Sequence, residues 1–266
     1  MEHNYLTGYT YLTDLMAGMK IDNIEQSVKI SAGKITANRF LTGLSTRKLD
    51  ICTRDRLLKT MNIPPECEKA INQYYDLASS ILFGYESSAN GKIFLKVYLE
   101  FWEALTEKIS QKHPAKKTEL MHLGYKWDHL QNQKYHLTEY YCYPLLNLRQ
   151  IQRHISENIC TNSLAGSDKT AQAILNIAAM KAHDRSFVYL EAIENDNCRK
   201  SIDLNLYKAE LTIADIVHPL TRYLEHCQIN NPESIVHQYA PYTLGHISAG
   251  KDRHNNDFFT FYIELP

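Results

Sequence analysis

From Lys92 to Glu100 the chain alternates: Ile93, Leu95, Val97 and Leu99 fall on one side of a two-residue period, Phe94, Lys96, Tyr98 and Glu100 on the other. This is the pattern of a strand between two environments, one aliphatic and one polar and aromatic. The order apolar, polar, any, tyrosine of Leu95-Lys96-Val97-Tyr98 returns in Leu137-Thr138-Glu139-Tyr140, Leu204-Asn205-Leu206-Tyr207 and Phe259-Thr260-Phe261-Tyr262. The recurrence points to an internal repeat.

The periods along the rest of the chain fit that repeat. Tyr5 to Ile24 has roughly helical spacing, and Val28 and Ile30 then open a strand that turns at Gly33-Lys34 and returns over Ile35 to Leu44. Asp50 to Ala78 predicts two helices broken at Asn62-Ile63-Pro64-Pro65, because the first proline forbids helix at Ile63 while the second can open a new one. A second hairpin runs from about Ile81 to Phe101 through Asn90-Gly91, and a helix over Trp102 to Gln111 stops before Pro114. The third hairpin begins near Glu119, turns through Gln131-Asn132-Gln133-Lys134 and ends at Tyr143 before Pro144. Helices are expected over Leu145 to Cys160 and Thr170 to His183, the latter with Asp168 as N-cap. Ser186 to Ala209 is the fourth hairpin, bent at Asn195-Asp196-Asn197, with Asp203, Asn205 and Tyr207 on its polar side. Thr212 to Cys227 and Pro232 to Tyr239 are helical, and Thr243 to Leu265 is the fifth hairpin, turning at Arg253 to Asn256.

Five hairpins separated by helices predict an α+β protein: a ten-stranded antiparallel β-barrel surrounded by helices, since closure removes the edges a long meander would expose. Aliphatic rows would pack outward on the helices, and rows rich in Lys, Tyr, Asn, Thr, Ser and His would line the interior. Ten strands leave room for a ligand chamber where eight would fill themselves. The 266 residues could form one large domain or two small ones, and the repeat favours a single domain over 1–266. The 18 tyrosines suit an aromatic-walled interior.

The remaining composition narrows the function by exclusion. A formal charge of -1 gives no reason to expect nucleic acid or an anionic membrane as partner. The six scattered cysteines form no C-x-x-C pair and suit reduced thiols in the cytoplasm. Neither an export signal nor a membrane-spanning apolar run is expected. The Walker, dinucleotide-binding and serine-hydrolase glycine motifs are absent, and the histidines have no zinc spacing, so no metal site is expected.

The α-β-β-α repeats closing a ten-stranded barrel resemble the ABBA fold, the PT barrel of soluble aromatic prenyltransferases. Leu95-Lys96-Val97-Tyr98 is similar to the K-x-Y strand of the indole and phenol enzymes. Val28-Lys29-Ile30 with Asn38-Arg39-Phe40-Leu41 resembles the first hairpin of the cyanobactin peptide prenyltransferases, and Ile247-Ser248 through Phe261-Tyr262 the last hairpin of the dimethylallyltryptophan synthases. The resemblance implies transfer of an allylic group from a prenyl diphosphate donor to an aromatic small molecule or peptide acceptor. It implies that Lys29, Lys96 and Lys126, with Arg39, contact the diphosphate, and that Tyr98, Tyr140, Tyr207 and Tyr262 ring the allyl group. Glu191 or Asp203 would take up the acceptor's proton. Thr138, Asn205 and Thr260 stand where the family often repeats a basic residue, with Asn205 counted among the substrate contacts. With fewer inward cations, either Mg2+ assists the diphosphate or the barrel serves another ligand. No aspartate-rich D-D-x-x-D motif is present.

Plainer readings stay open beside these. Lys96 could be a rim lysine, the tyrosines could fill an over-wide barrel, and Glu191 or Asp203 could belong to strand-end ion pairs. The alternative function is a non-catalytic barrel that binds a hydrophobic small molecule or peptide.

Overall fold

The computed structural model describes residues 5–21, 24–88, 90–110, 118–159, 161, 163–183 and 186–265. Eleven strands form one sheet: β1 (Ile24–Ser31), β2 (Lys34–Thr36), β3 (Arg39–Ser45), β4 (Ser80–Ser87), β5 (Ile93–Glu100), β6 (Glu119–Asp128), β7 (Gln131–Cys142), β8 (Val188–Ile193), β9 (Lys200–Asn205), β10 (Leu244–Lys251) and β11 (Asp257–Leu265). The order is β11-β10-β9-β8-β7-β6-β5-β4-β3-β1-β2, and β11 also pairs with β1. Apart from the three-residue β2, this is the closed ten-stranded antiparallel barrel that the alternating segments predict. Eight α-helices surround it among the described residues: α1 (Tyr5–Leu15), α2 (Ile51–Thr60), α3 (Pro65–Tyr74), α4 (Trp102–Ser110), α5 (Leu148–Asn158), α6 (Ser167–Ala179), α7 (Val217–His226) and α8 (Pro232–Tyr239). None of them is long and apolar enough to cross a membrane.

The chain divides into two compact units. In the first, Met1–Gln26 with Thr36–Tyr141, α1 lies on β3 and β4 through Tyr9 against Phe40 and Tyr11 against Tyr85, with ring centroids 6.1 and 5.3 Å apart. Gly8 permits the approach, since a Cβ there would stand 2.6 Å from Tyr85 Cδ1 and Asn38 Oδ1. Asp50 caps α2 by accepting from the Thr53 backbone N–H, and the expected proline break separates α2 from α3. Leu95, Val97, Leu99, Leu123, Tyr125 and Trp127 are buried on the apolar face of β5 and β6. In the second unit, Ser27–Ile35 with Cys142–Leu265, Phe259 packs on Tyr223 of α7 and Phe261 on Tyr239 of α8. Burying rows of such side chains contributes about 1.5–3 kcal/mol each before chain entropy is subtracted.

Several boundaries depart from the sequence expectation. Helix α1 stops at Leu15 and β1 already begins at Ile24, while the returning strand splits at Ala37-Asn38. There the Gln26 amide donates to the Ala37 carbonyl and Asn38 donates to Ser87 Oγ. The third hairpin turns at His129-Leu130, with Asp128 accepting from the Leu130 N–H, so Gln131 to Lys134 belong to β7. Asn147 caps α5 in a reciprocal pair with Gln150, which starts that helix three residues late. Asp168 is not an N-cap: α6 begins at Ser167, and the Asp168 carboxylate instead accepts from Thr161 Oγ1 at 2.5 Å. Tyr207 leaves the strand, because Asn205 Oδ1 accepts from the Tyr207 N–H and a 3-10 turn over Tyr207–Ala209 follows. The expected Pro114 stop, Ala89 in the second turn, Cys160 and the first four residues lie outside the described residues.

At one end of the second unit the buried Glu194 carboxylate accepts from Arg199 Nη1 at 2.7 Å and Arg253 Nη2 at 2.9 Å. Burial opposes its ionisation, but hydrogen bonds and charge from Arg253 and Arg199 outweigh it and hold its pKa at about 2. A depressed carboxyl pKa contributes stability that is present above the unfolded value of 4.5 and lost as pH falls towards 2. Melting curves from pH 6 down to about pH 2 should therefore fall less steeply for Glu194→Gln than for wild type. Parallel curves would deny the pair that role.

Candidate functional site

The polar face of β3 to β6 carries Arg39, Glu86, Lys96, Lys126 and Asp128. Arg39 pairs across strands with Glu86, Glu86 with Phe94 and Phe94 with Asp128, while in the next row Gly84 faces Lys96 and Lys96 faces Lys126. The long lysines reach diagonally along the sheet to Glu86. Lys96 Nζ lies 2.5 Å and Arg39 Nε 3.4 Å from Glu86 Oε2, and Lys126 Nζ lies 2.9 Å from Oε1. Lys96 has room to lean because the residue opposite is Gly84, where a Cβ would come within 3.1 Å of the lysine's own Cβ. Lys126 Nζ also sits 4.5 Å over the Phe94 ring.

Three cations converge on the Glu86 carboxylate. Lys96 is 8 % exposed. Burial, with repulsion from Arg39 and Lys126, pulls its pKa well below the usual ammonium value against the pull of Glu86. Burial likewise opposes the charge on Glu86, yet Lys126, Lys96 and Arg39 outweigh it and hold the carboxyl well below its usual range.

Beside this cluster two tyrosines come together. Tyr98 and Tyr140 lie 6.1 Å apart with their planes tilted by 59°, and His122 stands edge-on to Tyr140 at 5.7 Å. Gly124 makes the space, since a Cβ there would meet Tyr98 Cε1 at 2.6 Å and Tyr140 Cε2 at 3.3 Å. Glu100 is opposite His122, and burial raises its carboxyl pKa.

The second unit holds the other expected residues. His246 is opposite Asn205 on β9 and Tyr262 on β11. Its Nδ1 lies 2.9 and 3.0 Å from the two Asp203 carboxylate oxygens, and its ring stacks on Tyr262 at 3.8 Å and 13°. Lys29 is 3.9 Å from Asp252 and lies over Phe258. Tyr207, in its 3-10 turn, packs on Gly245, where a Cβ would stand 2.5 Å from the phenol oxygen. Glu191 shares its strand face with Tyr189 and is opposite the buried Ile202. It accepts from Tyr143, from Tyr189 and, at 2.5 Å, from Asn158 of α5, and His154 of α5 lies 3.2 Å away. That is the helix side of β8, away from the face that carries Asp203.

The structure thus brings Arg39, Lys96 and Lys126 together, joins Tyr98 to Tyr140, and places Asp203 and Tyr262 on one histidine. Glu86 and His246 are the residues that sequence reasoning missed as site members. The register of the Asn90-Gly91 hairpin would have put Glu86 on the Lys96 face. His246 had only its alternation with Ile247 to mark it.

No family model and no curated protein matches this chain. Solved structures do. A 6-dimethylallyltryptophan synthase from Micromonospora olivasterospora, crystallised with DMASPP and Trp, superposes with a TM-score of 0.58 at 11% identity, covering 91% of this chain and 81% of that one. A 5-dimethylallyltryptophan synthase from Streptomyces coelicolor gives 0.58 at 11% identity over 91% and 80%. AnaPT from Neosartorya fischeri gives 0.55 at 10% identity over 91% and 78%. The fold is that of the ABBA-type aromatic prenyltransferases.

Proposed function

We propose that this chain is an enzyme that transfers an allylic prenyl group from a prenyl diphosphate to an electron-rich aromatic acceptor. The observation that carries the reading is the convergence of Arg39, Lys96 and Lys126 on one buried strand face. As the allylic C–O bond breaks, the departing diphosphate gathers negative charge, and cations already in place stabilise that charge without reorganising. Glu86 keeps the three side chains extended before the donor arrives. Tyr98 and Tyr140, side by side over Gly124, offer π-faces to the developing allyl cation and shield it from water. The fold supports the reading, because the solved structures that share it include enzymes named for dimethylallyl transfer to tryptophan.

Indole, phenol and modified-peptide acceptors all suit this chemistry. We keep Lys29 as a contact for the diphosphate and Asn205, Tyr207 and Tyr262 as contacts for substrate. Asp203, on the polar strand face, fits the handling of the acceptor's proton better than Glu191, which is engaged with α5. We place the whole chain in one barrel domain working in the cytoplasm, where free thiols such as buried Cys67 and Cys142 persist. Mg2+ stays part of the proposal as a companion of the donor's diphosphate, which needs no cluster of protein carboxylates.

Incubation with dimethylallyl or geranyl diphosphate and a panel of indoles, phenols and aromatic peptides should give prenylated product and inorganic diphosphate. Calorimetry with a thiolodiphosphate analogue should show binding. Product from no pair, together with no analogue binding, would remove the reading. The second reading, a barrel that holds a neutral hydrophobic ligand, is favoured by the way Glu86 already occupies the cations. It expects no analogue binding.

A further inference from the structure

Within the first unit the register sets Gly43, Leu82, Tyr98 and Gly124 side by side across β3, β4, β5 and β6, on the strand face that carries Lys96. Each large side chain of this row lies over the glycine beyond it. A Cβ on Gly124 would stand 2.6 Å from Tyr98 Cε1, and a Cβ on Gly43 would stand 3.3 Å from Leu82 Cγ. Tyr98 therefore leans towards β6 and Leu82 towards β3, and a slot opens between them over the β4–β5 pair. The row on one side of it is Leu41, Gly84, Lys96 and Lys126, where Leu41 and the Lys96 stem both lie over Gly84. The row on the other side is polar throughout: Ser45, Ser80, Glu100 and His122. Successive rows are two residues apart, so about 13 Å of strand separates the Lys96 row from the Glu100 row. Leu41, Leu82 and Tyr98 are half-buried, whereas Ile81, Phe83, Leu95 and Val97 on the opposite face of β4 and β5 are fully buried. The two leucines and the Tyr98–Tyr140 pair thus form an apolar and aromatic strip that is continuous with the cations converging on Glu86 and stops at the polar row.

We propose that the row Gly43–Leu82–Tyr98–Gly124 measures the hydrocarbon chain of the donor, and that the donor it selects carries two isoprene units, as geranyl diphosphate does. The inference rests on the prenyl-transfer reading and deepens it. With the diphosphate held beside Lys96 and Lys126, the first isoprene unit lies against the Tyr98–Tyr140 pair and the second lies in the slot against Leu82. A single unit leaves Leu82 in water, so the second gains apolar burial on a wall that is already shaped for it. A third unit would run into the polar row. There it would strip water from two hydroxyls, a carboxylate and an imidazole and offer no hydrogen bond in return. The glycines are part of the device, because a side chain at Gly43 or Gly124 would push Leu82 or Tyr98 back into the slot.

The test compares donors against one fixed aromatic acceptor. Wild type should use geranyl diphosphate with a kcat/KM about ten-fold or more above that for dimethylallyl diphosphate. Calorimetry without acceptor should show the geranyl thiolodiphosphate binding more tightly than the dimethylallyl one. Leu82→Phe, which fills the slot, should reverse the preference within the same protein. Glu100→Leu, which makes the polar row apolar where the slot meets it, should bring in turnover of farnesyl diphosphate, a gain that a misfolded variant does not produce. A wild type that prefers dimethylallyl diphosphate, or a donor preference that both variants leave unchanged, overturns the proposal and leaves the prenyl-transfer reading intact. Absence of transfer and of analogue binding with every donor removes both.

Discussion

Lys96→Met is expected to lower prenyl transfer by about 10³-fold, chiefly in kcat, and to weaken thiolodiphosphate binding by about ten- to a hundred-fold. The size follows from position. Lys96 is the most deeply placed cation of the cluster and lies nearest to Glu86, so its loss removes a positive charge where water screens least. It also leaves Glu86 with Arg39 and Lys126 alone. The charge that develops on a leaving diphosphate exceeds the charge on the bound donor, so the effect should fall more on turnover than on binding. Lys96→Arg is not a conservative control, because a planar fork does not fit the gap over Gly84 that the narrow lysine stem uses. Lys108→Met is the better control: Lys108 is 56 % exposed with Glu119 at 2.8 Å, and its loss should cost no more than a few-fold. Steady-state kinetics for the three variants decide the matter, and transfer by Lys96→Met within three-fold of wild type would remove this lysine from the reaction.

Much of the architecture was written in the alternation itself. Leu95 to Leu99 announces a strand with two faces, and Asn90-Gly91 and Pro64-Pro65 mark reversals by local backbone preference alone. Pairwise geometry was less accessible. Glu86 enters the site because the hairpin register sets it beside Phe94, and nothing in the order of its neighbours says that two lysines and an arginine will reach it. His246 and Asp203 stand 43 positions apart and meet only through the β9–β10 register. Tyr207 shows the opposite failure: its motif copies that of Tyr98, but the Asn205 side chain captures the next backbone N–H but one and ends the strand. Glu191 looked inward because it is charged on a strand. Its partners Asn158 and His154 come from a helix more than thirty residues earlier, and a half-buried carboxylate with such partners tolerates the helix side.

Trp127→Ala is expected to cost about 3–5 kcal/mol of stability, a large share of the ~5–15 kcal/mol that folded domains retain. Trp127 is 1 % exposed on the apolar face of β6, and its Nε1–H donates to the Met61 carbonyl at the end of α2 at 3.3 Å. Truncation therefore leaves a cavity and also strips a buried carbonyl of its partner, and the two losses add. The neighbouring residue on the same strand, Lys126, projects from the other face into the cation cluster. Loosening β6 from α2 should consequently disturb the cluster without touching any of its atoms. A ligand that binds only the folded protein offsets such a loss by about 2.7 kcal/mol at a hundred times its Kd. Denaturant unfolding of Trp127→Ala should accordingly show a midpoint far below that of wild type, raised again by saturating thiolodiphosphate. A midpoint near the wild-type value would contradict the packing described for β6, and a lowered midpoint that the analogue leaves unmoved would count against diphosphate binding at this face.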